Sequence, residues 1–207
     1  DLMFIAPASA DVIGKCANGI ADDMLTSTIL ACKCPIYFAP AMNDRMYTNS
    51  IVQENMAKLV RHGWHQINPA TGHLACGGEG LGKMPNPDQL YLYIERELAR
   101  EKDMAGVKLL VTAGATQEAI DPVRYITNHS SGKMGYAIAK EAMLRGAEVT
   151  LVSGVSALTP PVFVETVTAV SAEDMYREVT SRAPAQDIII KAAAVADYTP
   201  ICTADEK

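Results

Sequence analysis

Three segments in the first half of this sequence carry residues that can bind a ligand or move a proton. Pro7-Ala8-Ser9-Ala10 follows a β-rich run. Small residues at the carboxyl end of a strand let a ligand approach backbone amides, and Ser9 adds a hydroxyl donor. Asn43 follows a second β-rich run, where its side-chain amide can hold a carboxylate. Cys76 lies in a glycine-rich segment, where its thiol can exchange a proton with a substrate.

Each of these residues also has an ordinary structural interpretation. Ser9 can cap the helix that follows it, and the local sequence by itself favours that role. Asn43 can form an Asx-turn at the start of a short helix. Cys76 can fill a small apolar space. Taken alone, each segment is therefore a weak indication of a site.

The glycine-rich segment 72–82 is predicted to form a lid rather than a phosphate loop. Gly77 to Lys83 fits the first seven places of G-x-x-x-x-G-K-[ST], but Met84 replaces the magnesium-binding hydroxyl and Pro85 disfavours a continuing helix. His73 and Cys76 cannot form a zinc site by themselves, because the usual C-x-x-C pairs are absent.

Two segments in the second half resemble nucleotide-phosphate sites. Gly114 follows a β-rich run, although the glycine fingerprint of a dinucleotide fold is incomplete. Ser130, Gly132 and Gly135 surround the start of a helix, where amides and hydroxyls can bind an anion. An ordinary helix start capped by Ser130 or Ser131 is about equally compatible with this pattern.

The last predicted strand ends in small residues, Ala192-Ala193-Ala194, which leave room for a planar base or an acyl group. Asp197 follows them and can accept hydrogen bonds from a hydroxyl or an amine. Alternatively, Asp197 is a turn residue.

The elements that must position these residues alternate between β-rich runs and helical stretches, which predicts an α/β fold with parallel sheets. The predicted strands are Leu2–Ala6, Ile36–Ala39, Trp64–Ile67, Val107–Thr112, Ala147–Val152, Phe163–Val167 and Asp187–Ala192. One helix is predicted to begin at Asp11. Three more are predicted over Ser50–Arg61, Asp88–Glu101 (capped by Asp88) and Lys133–Arg145, and a last one follows a capping box at Ser171. A charged stretch before residue 106 predicts two domains, 1–106 and 107–207.

Composition narrows the classes of function. A net charge of −6 over 207 residues, without a basic arm, argues against nonspecific nucleic-acid binding. No apolar run approaches the roughly 20 residues of a membrane-spanning helix. Five cysteines without an export signal indicate reduced thiols and a cytoplasmic location. Because the chain begins with Asp1 and stops in a polar turn, we expect an excerpt of a longer protein.

Together, these motifs resemble the bacterial bifunctional flavoproteins of coenzyme A synthesis, in which phosphopantothenoylcysteine decarboxylase is fused to phosphopantothenate–cysteine ligase. The order and spacing of the motifs cover nearly the whole chain. The resemblance implies a flavodoxin-like, FMN-binding domain with a doubly wound parallel sheet, followed by a Rossmann-like α/β ligase domain. It also implies a homo-oligomer, with trimer-based decarboxylase assemblies and paired ligase domains.

For the first half, the resemblance implies an FMN site at Pro7, Ala8, Ser9, Ala10 and Ala41. Pro40-Ala41-Met42-Asn43-Asp44-Arg45-Met46 matches the family's P-x-M-N-x-x-M-W motif, with Tyr47 in place of Trp, so Asn43 would hold the substrate carboxylate. Cys76 would be the proton donor of a substrate clamp that includes His73, Leu74 and Ala75. FMN would provide the electron sink for loss of CO₂. No histidine here matches the family's active-site His, which lies in an earlier segment.

For the second half, the resemblance implies a CTP-dependent ligase that joins 4'-phosphopantothenate to cysteine through an acyl-cytidylate. Asn128 would engage the acyl intermediate. The phosphate-binding positions would be Gly114, Ser130, Gly132 and Gly135, and the nucleotide site would include Ala192, Ala193, Ala194 and Asp197. Lys207 would be the first lysine of a K-x-K-K element. Triphosphate chemistry implies Mg²⁺, although no dedicated carboxylate cluster is visible.

Three other functions are compatible with parts of the sequence. A single-function FMN-dependent cysteine decarboxylase would leave the second domain without a task. A pyridine-nucleotide oxidoreductase is disfavoured by the incomplete glycine fingerprint. A non-catalytic nucleotide-binding module would bind FMN or CTP without turnover and leave Cys76 dispensable.

Overall fold

The computed structural model describes residues 1–73 and 79–207, and the chain forms two compact units, Asp1–Leu98 and Ala99–Lys207. The segment just before residue 106 packs within the second unit. Lys102 Nζ donates to the Leu144 carbonyl at 2.7 Å, and the Met104 amide donates to the Arg145 carbonyl at 3.0 Å.

The first unit is built on a parallel sheet of three strands in the order β1-β2-β3. The strands are β1 (Met3–Ala8), β2 (Ile36–Pro40) and β3 (His65–Gln66). All five residues of β2 are buried, as expected for a central strand covered on both faces. Phe38 of β2, Ile13 and Met56 are among the largest fully buried side chains of this core.

In the described part of the first unit, five helices accompany this sheet: α1 (Ala10–Ala17), α2 (Met24–Ala31), α3 (Asp44–Tyr47), α4 (Ser50–Arg61) and α5 (Pro87–Leu98). Asn49 caps α4, and a reciprocal capping box at Asp23 and Thr26 begins α2. The prediction that Asp88 caps α5 is wrong. The helix begins one residue earlier, at Pro87, and the side chain of Asn86 accepts from the Asp88 amide at 3.2 Å.

An antiparallel hairpin that the sequence did not predict lies between β3 and α5. Its strands are β4 (Ala70–His73) and β5 (Glu79–Lys83), and His73 is paired with Glu79 at the end of the described ladder.

The second unit has six strands, of which four form a parallel sheet. In chain order the strands are β6 (Lys108–Ala113), β7 (Gln117–Ala119), β8 (Tyr125–Thr127), β9 (Glu148–Ser153), β10 (Glu165–Thr168) and β11 (Ile188–Lys191). The parallel sheet has the order β10-β9-β6-β11, and β7 pairs with β8 as a separate hairpin. The central strand β6 therefore has a paired neighbour on each side.

Two α-helices pack in the second unit, α6 (Lys133–Leu144) and α7 (Ala172–Arg182), and a short 3₁₀ turn spans Ala183–Ala185. The predicted capping box at Ser171 is confirmed, since Ser171 Oγ accepts from the Asp174 amide at 3.0 Å. The predicted α/β fold with parallel sheets is thus confirmed for both units. A helix with the length and apolar character needed to cross a membrane is not found in the part of the chain that the structure describes.

Candidate functional site

The carboxyl end of β1 and the start of α1 form one part of the candidate site in the first unit. Ala8 is fully buried, whereas Ser9 is exposed and caps α1 by accepting from the Val12 amide at 3.3 Å. The Ala41 amide donates to the Ala8 carbonyl at 3.0 Å. The structure therefore brings together the two segments predicted to hold FMN.

The N-terminus of α1 has the properties that a phosphate group requires. Amides in the first turn of a helix lack intrahelical partners, and the helix dipole favours negative charge there. Asp11 places a carboxylate in that turn. Lys15 Nζ lies 3.3 Å from its Oδ2 but also 3.1 Å from Asp22 Oδ1, so it offsets the charge of Asp11 only in part. The capping role of Ser9 leaves its hydroxyl hydrogen able to donate. Small, partly exposed residues beside this helix start fit a flavin phosphate.

Asn43 begins the short helix α3 in the manner of an Asx-turn. Its Oδ1 accepts from the Arg45 amide at 2.9 Å, and its carbonyl accepts from the Met46 and Tyr47 amides. Asn43 itself is exposed, whereas Tyr47 is buried in the core of the first unit. The structural interpretation of Asn43 is therefore correct. Because the turn fixes its backbone at the carboxyl end of β2, it is also compatible with a ligand-binding role.

Strand β5 of the hairpin is anchored to this same loop. The Met42 amide donates to the Gly82 carbonyl at 3.0 Å, and the Leu81 amide donates to Asp44 Oδ1 at 3.2 Å. Gly82 has a φ of +127°, and a Cβ there would lie well inside 3.0 Å of the Met42 carbonyl oxygen. Only glycine permits this approach, so the hairpin and the Asn43 loop form one local structure.

One of the predicted substrate-binding residues has its backbone in the described part of the hairpin. The backbone of His73 lies in β4. Leu74, Ala75 and the proposed proton donor Cys76 lie outside the described residues.

The candidate site of the second unit lies at the carboxyl edge of the sheet, where the backbone segments that contain Gly114, Gly132 and Gly154 meet. We call this place the glycine crossing. Gly114 has a φ of +80°, and a Cβ there would lie 3.3 Å from the Gly154 carbonyl carbon and oxygen. A Cβ on Gly132 would lie 3.1 Å from the Gly114 amide nitrogen, and one on Gly135 would lie 2.5 Å from the Ala113 Cβ. The glycines therefore allow α6 to begin directly against the ends of β6 and β9.

Helix α6 begins at Lys133, and its N-cap residue Gly132 has a φ of +78° and provides no side-chain cap. The Ser130 hydroxyl accepts from the Gly132 amide at 3.4 Å, and the Ser131 carbonyl accepts from the Ser156 hydroxyl at 3.0 Å. The alternative in which a serine caps this helix is therefore wrong. Amides in the first turn are left without a capping side chain, and Lys133 adds a positive charge, so the helix start suits an anion.

Asn128 connects the segment after β8 to the segment after β11. Its Nδ2 lies 3.3 Å from the Ala194 carbonyl and 3.1 Å from the Val195 carbonyl. The Ala194 amide in turn donates to the Gly114 carbonyl at 2.8 Å. The structure thus brings the predicted residues Asn128, Gly114 and Ala194 together at the glycine crossing.

Two buried threonines hold the end of β11 in place. The amides of Ala192 and Ala193 lie 3.1 and 3.2 Å from the Thr112 hydroxyl, and the Ala196 amide donates to the Thr116 hydroxyl at 2.9 Å. Asp197 and Lys207 are both exposed, and their proposed roles stay predictions.

Sequence reasoning missed several residues that shape this site. Gly154, where a Cβ would overlap the Ala115 carbonyl, follows β9 directly, but its approach to Ala115 depends on the pairing of β6 with β9. Thr112, Thr116 and Glu118 gave no local signal, since their roles depend on partners 54 to 81 residues away. Glu118 is buried and accepts from the Ala172 amide at 2.8 Å, which fixes the β7–β8 hairpin to the start of α7.

Over the described residues, no group of three or more His, Cys, Asp or Glu side chains is arranged to hold a metal ion. The Mg²⁺ expected from the resemblance is therefore unsupported by a protein-borne ligand cluster in this part of the chain.

Two family models match the chain in succession. The model described as "Flavoprotein" matches residues 1–99, and the model described as "DNA/pantothenate metabolism flavoprotein C-terminal domain" matches residues 104–207.

Curated relatives are similar to the chain over its whole length. A coenzyme A biosynthesis bifunctional protein CoaBC from Vibrio vulnificus is 49% identical over 207 residues, which is 100% of this chain and 51% of that protein. The protein of the same name from Bacillus subtilis is 48% identical over 210 residues, covering 100% and 52%. The chain therefore spans about half the length of the curated relatives it matches.

A solved structure of the C-terminal domain of a coenzyme A biosynthesis bifunctional protein CoaBC is also similar. It is 55% identical, with a TM-score of 0.47, and the match covers 48% of this chain and 51% of that one.

Proposed function

The chain belongs to the DNA/pantothenate metabolism flavoprotein family, and from this premise we propose that it acts in coenzyme A biosynthesis. We assign FMN-dependent decarboxylation of 4'-phosphopantothenoylcysteine to the first unit. We assign the N-terminal part of a CTP-dependent phosphopantothenate–cysteine ligase to the second unit. The names of the relatives support the pathway. The contacts at the carboxyl ends of the strands in each unit support the assignment of one activity to each unit.

The observation that carries the decarboxylase proposal is the attachment of β5 to the Asn43 loop through Gly82 and Met42. Decarboxylation requires a group that holds the carboxylate and a group that returns a proton after CO₂ leaves. Asn43 is proposed for the first role and Cys76 for the second. Since β5 follows Cys76 closely in sequence, anchoring β5 beside Asn43 limits the distance between Cys76 and Asn43.

Pro7 to Ala10, with Ala41, are proposed to hold FMN. The Ala41–Ala8 hydrogen bond joins the two segments, and the start of α1 offers amides to the flavin phosphate. Bound FMN would supply the electron sink that a cysteine carboxylate lacks. His73, Leu74 and Ala75 are proposed to contact the substrate.

The ligase proposal is supported by the glycine crossing of the second unit. Gly114, Gly132 and Gly135 expose backbone without side chains next to the uncapped start of α6, an arrangement that suits the phosphates of CTP. Ser130 would add a hydroxyl. Asn128 is proposed to engage the acyl intermediate while it bonds to the segment after β11.

Ala192, Ala193, Ala194, Asp197 and Lys207 are proposed to complete the nucleotide site. Mg²⁺ would arrive with the triphosphate, because the described residues present no metal-binding cluster. A homo-oligomer with trimeric decarboxylase and paired ligase domains stays part of the proposal.

The test is a separation of the two activities in the full-length protein. Cys76→Ser should retain flavin and release CO₂ but fail to yield normal 4'-phosphopantetheine. Asn128→Asp should lose CMP formation and keep decarboxylation, since a carboxylate at 128 would face two carbonyl oxygens. Cys202→Ser, at an exposed thiol outside both sites, is the control.

Normal product from Cys76→Ser would contradict the proton-donor role. Equal loss of both activities in Asn128→Asp would show that Asn128 acts through folding.

A further inference from the structure

Two thiols lie side by side at the amino end of β2, whereas Asn43 follows the carboxyl end of the same strand. The Cys32 and Cys34 sulfurs are 3.2 Å apart, within hydrogen-bond distance for thiols. Both side chains are partly exposed. Neither residue takes part in the proposed FMN or substrate contacts.

The backbone on both sides of the pair is held in place. The Cys32 amide donates to the Ile29 carbonyl at 3.1 Å as α2 ends, and the Cys32 side chain packs against the core of the first unit. The Pro35 carbonyl accepts from the Met3 amide at 3.0 Å. The turn between these contacts therefore keeps the two thiols adjacent.

The other free cysteines of the described residues are differently placed. Cys16 is buried and Cys202 is exposed. They provide internal comparisons for a buried thiol and for an exposed thiol.

We infer that Cys32 and Cys34 form an oxidation site that closes to a reversible intramolecular disulfide when the protein meets a hydroperoxide. The sulfurs would need to approach by roughly 1.2 Å to reach the disulfide bond length of about 2.05 Å. Disulfides of this kind in cytosolic proteins are usually transient and redox-sensing.

The chemistry balances in two steps with hydrogen peroxide as the oxidant. The Cys32 thiolate attacks one peroxide oxygen, the O–O bond breaks, and hydroxide leaves, which oxidises Cys32 to a sulfenic acid. Cys34 then attacks the Cys32 sulfur, the S–O bond breaks, and the disulfide forms. Two thiols and one peroxide give one disulfide and two waters.

Electrostatics agree with this order of events. The hydrogen bond with Cys32 and partial burial raise the pKa of the Cys34 thiol, which disfavours Cys34 as the thiol that attacks the peroxide first.

Lys33 provides a sharp test, because trypsin cleaves after it and separates the two cysteines. The full-length protein is treated with one equivalent of hydrogen peroxide, alkylated, digested and analysed by mass spectrometry. We expect the two peptides to remain linked until dithiothreitol separates them, with fragment ions placing the bond at Cys32 rather than at Cys16 of the same peptide. Alkylation of Cys32 and Cys34 should fall at least tenfold relative to Cys202. In Cys34→Ser, Cys32 should stop at a sulfenic acid that dimedone labels.

Cys202→Ser is the matched control and should give the same linked peptides. The inference is overturned if Cys32 and Cys34 are alkylated as fully as before treatment, or if dimedone labels Cys32 equally in the wild type and in Cys34→Ser. Linkage of Cys32 to a different cysteine would also overturn it.

Discussion

Gly82 and Met42 approach so closely that the backbone of a hairpin strand and the loop after β2 meet with no room for a side chain. The Met42 amide donates to the Gly82 carbonyl at 3.0 Å, and a Cβ on Gly82 would overlap the Met42 carbonyl oxygen. This contact joins the segment that follows Cys76 to the loop that holds Asn43. The proposed decarboxylase chemistry depends on that connection.

Gly82→Ala should separate the hairpin from the Asn43 loop. Because a displacement of about 1 Å in a positioned catalytic group can cost about a hundredfold in rate, we expect decarboxylation to fall by that order while flavin stays bound. The measurement is CO₂ release from preformed 4'-phosphopantothenoylcysteine, with the flavin spectrum recorded in parallel.

Gly63→Ala is the control for that variant. Gly63 also has a positive φ, +87°, but among the described residues no atom beyond its chain neighbours lies within 4 Å of the added Cβ. The cost should therefore be only about 1 kcal/mol of backbone strain. An unchanged CO₂ rate in Gly82→Ala would show that the Gly82–Met42 contact is irrelevant to catalysis.

Gly135→Ala should destabilise the second unit and reduce CMP formation. Its Cβ would lie 2.5 Å from the Ala113 Cβ and 2.9 Å from the Thr112 carbonyl, so α6 would have to move away from β6. Overpacking of this kind costs about 1–3 kcal/mol. Urea unfolding measures the loss in the free energy of unfolding.

Gly14→Ala is a matched helical substitution with the opposite expected sign. The nearest atom to its Cβ is Asn55 Nδ2 at 3.9 Å, so alanine should stabilise α1 by about 0.5–1 kcal/mol. Equal stability changes in the two variants would contradict the close packing of α6 on β6.

Glu118→Ala should loosen the hairpin that precedes Asn128. The buried carboxylate accepts from the Ala172 amide at 2.8 Å, and removing it leaves that amide without its acceptor, at a cost of about 1–3 kcal/mol. Glu118→Gln retains an oxygen acceptor and should recover much of the stability. Thermal unfolding of the three proteins tests this order, and a Glu118→Gln variant no better than Glu118→Ala would refute it.

Acid should weaken the start of α7. Hydrogen bonds from the Ser171 backbone and side chain hold the pKa of Asp174 below its usual range. A carboxyl with a depressed folded-state pKa contributes stability that is present above its unfolded pKa of about 3.9 and is lost as pH falls through the folded value. In Asp174→Asn, the free energy of unfolding should therefore fall less steeply at acid pH than it does in the wild type.

Urea unfolding between neutral pH and about pH 3 measures that fall, with Asp205→Asn, in the exposed C-terminal segment, as the control. Identical pH profiles for the wild type and Asp174→Asn would contradict the assignment.

Much of the fold could be predicted because its signals are local. The apolar run at Ile36 predicts the buried strand β2, the amphipathic stretch before Gly63 predicts α4, and the Ser171 capping box predicts α7. These features depend on residues within a few positions of one another.

The hairpin of β4 and β5 could not be predicted in this way. Its strands are rich in glycine and lack an alternating apolar pattern, and β5 is held by Met42 and Asp44, far away in sequence. The site of the second unit could not be fully predicted for the same reason. Gly114 and Gly132 stand out locally, but the contribution of Gly154 requires β6 and β9 to pair first.

The most direct test of the account is a pair of measurements on the full-length protein purified without added cofactor. Its visible absorption is recorded, and CO₂ is then measured after addition of preformed 4'-phosphopantothenoylcysteine. The account predicts a bound-flavin spectrum and release of CO₂ with formation of 4'-phosphopantetheine. Absence of flavin together with absence of CO₂ would contradict it and leave a nucleotide-binding module without decarboxylase activity.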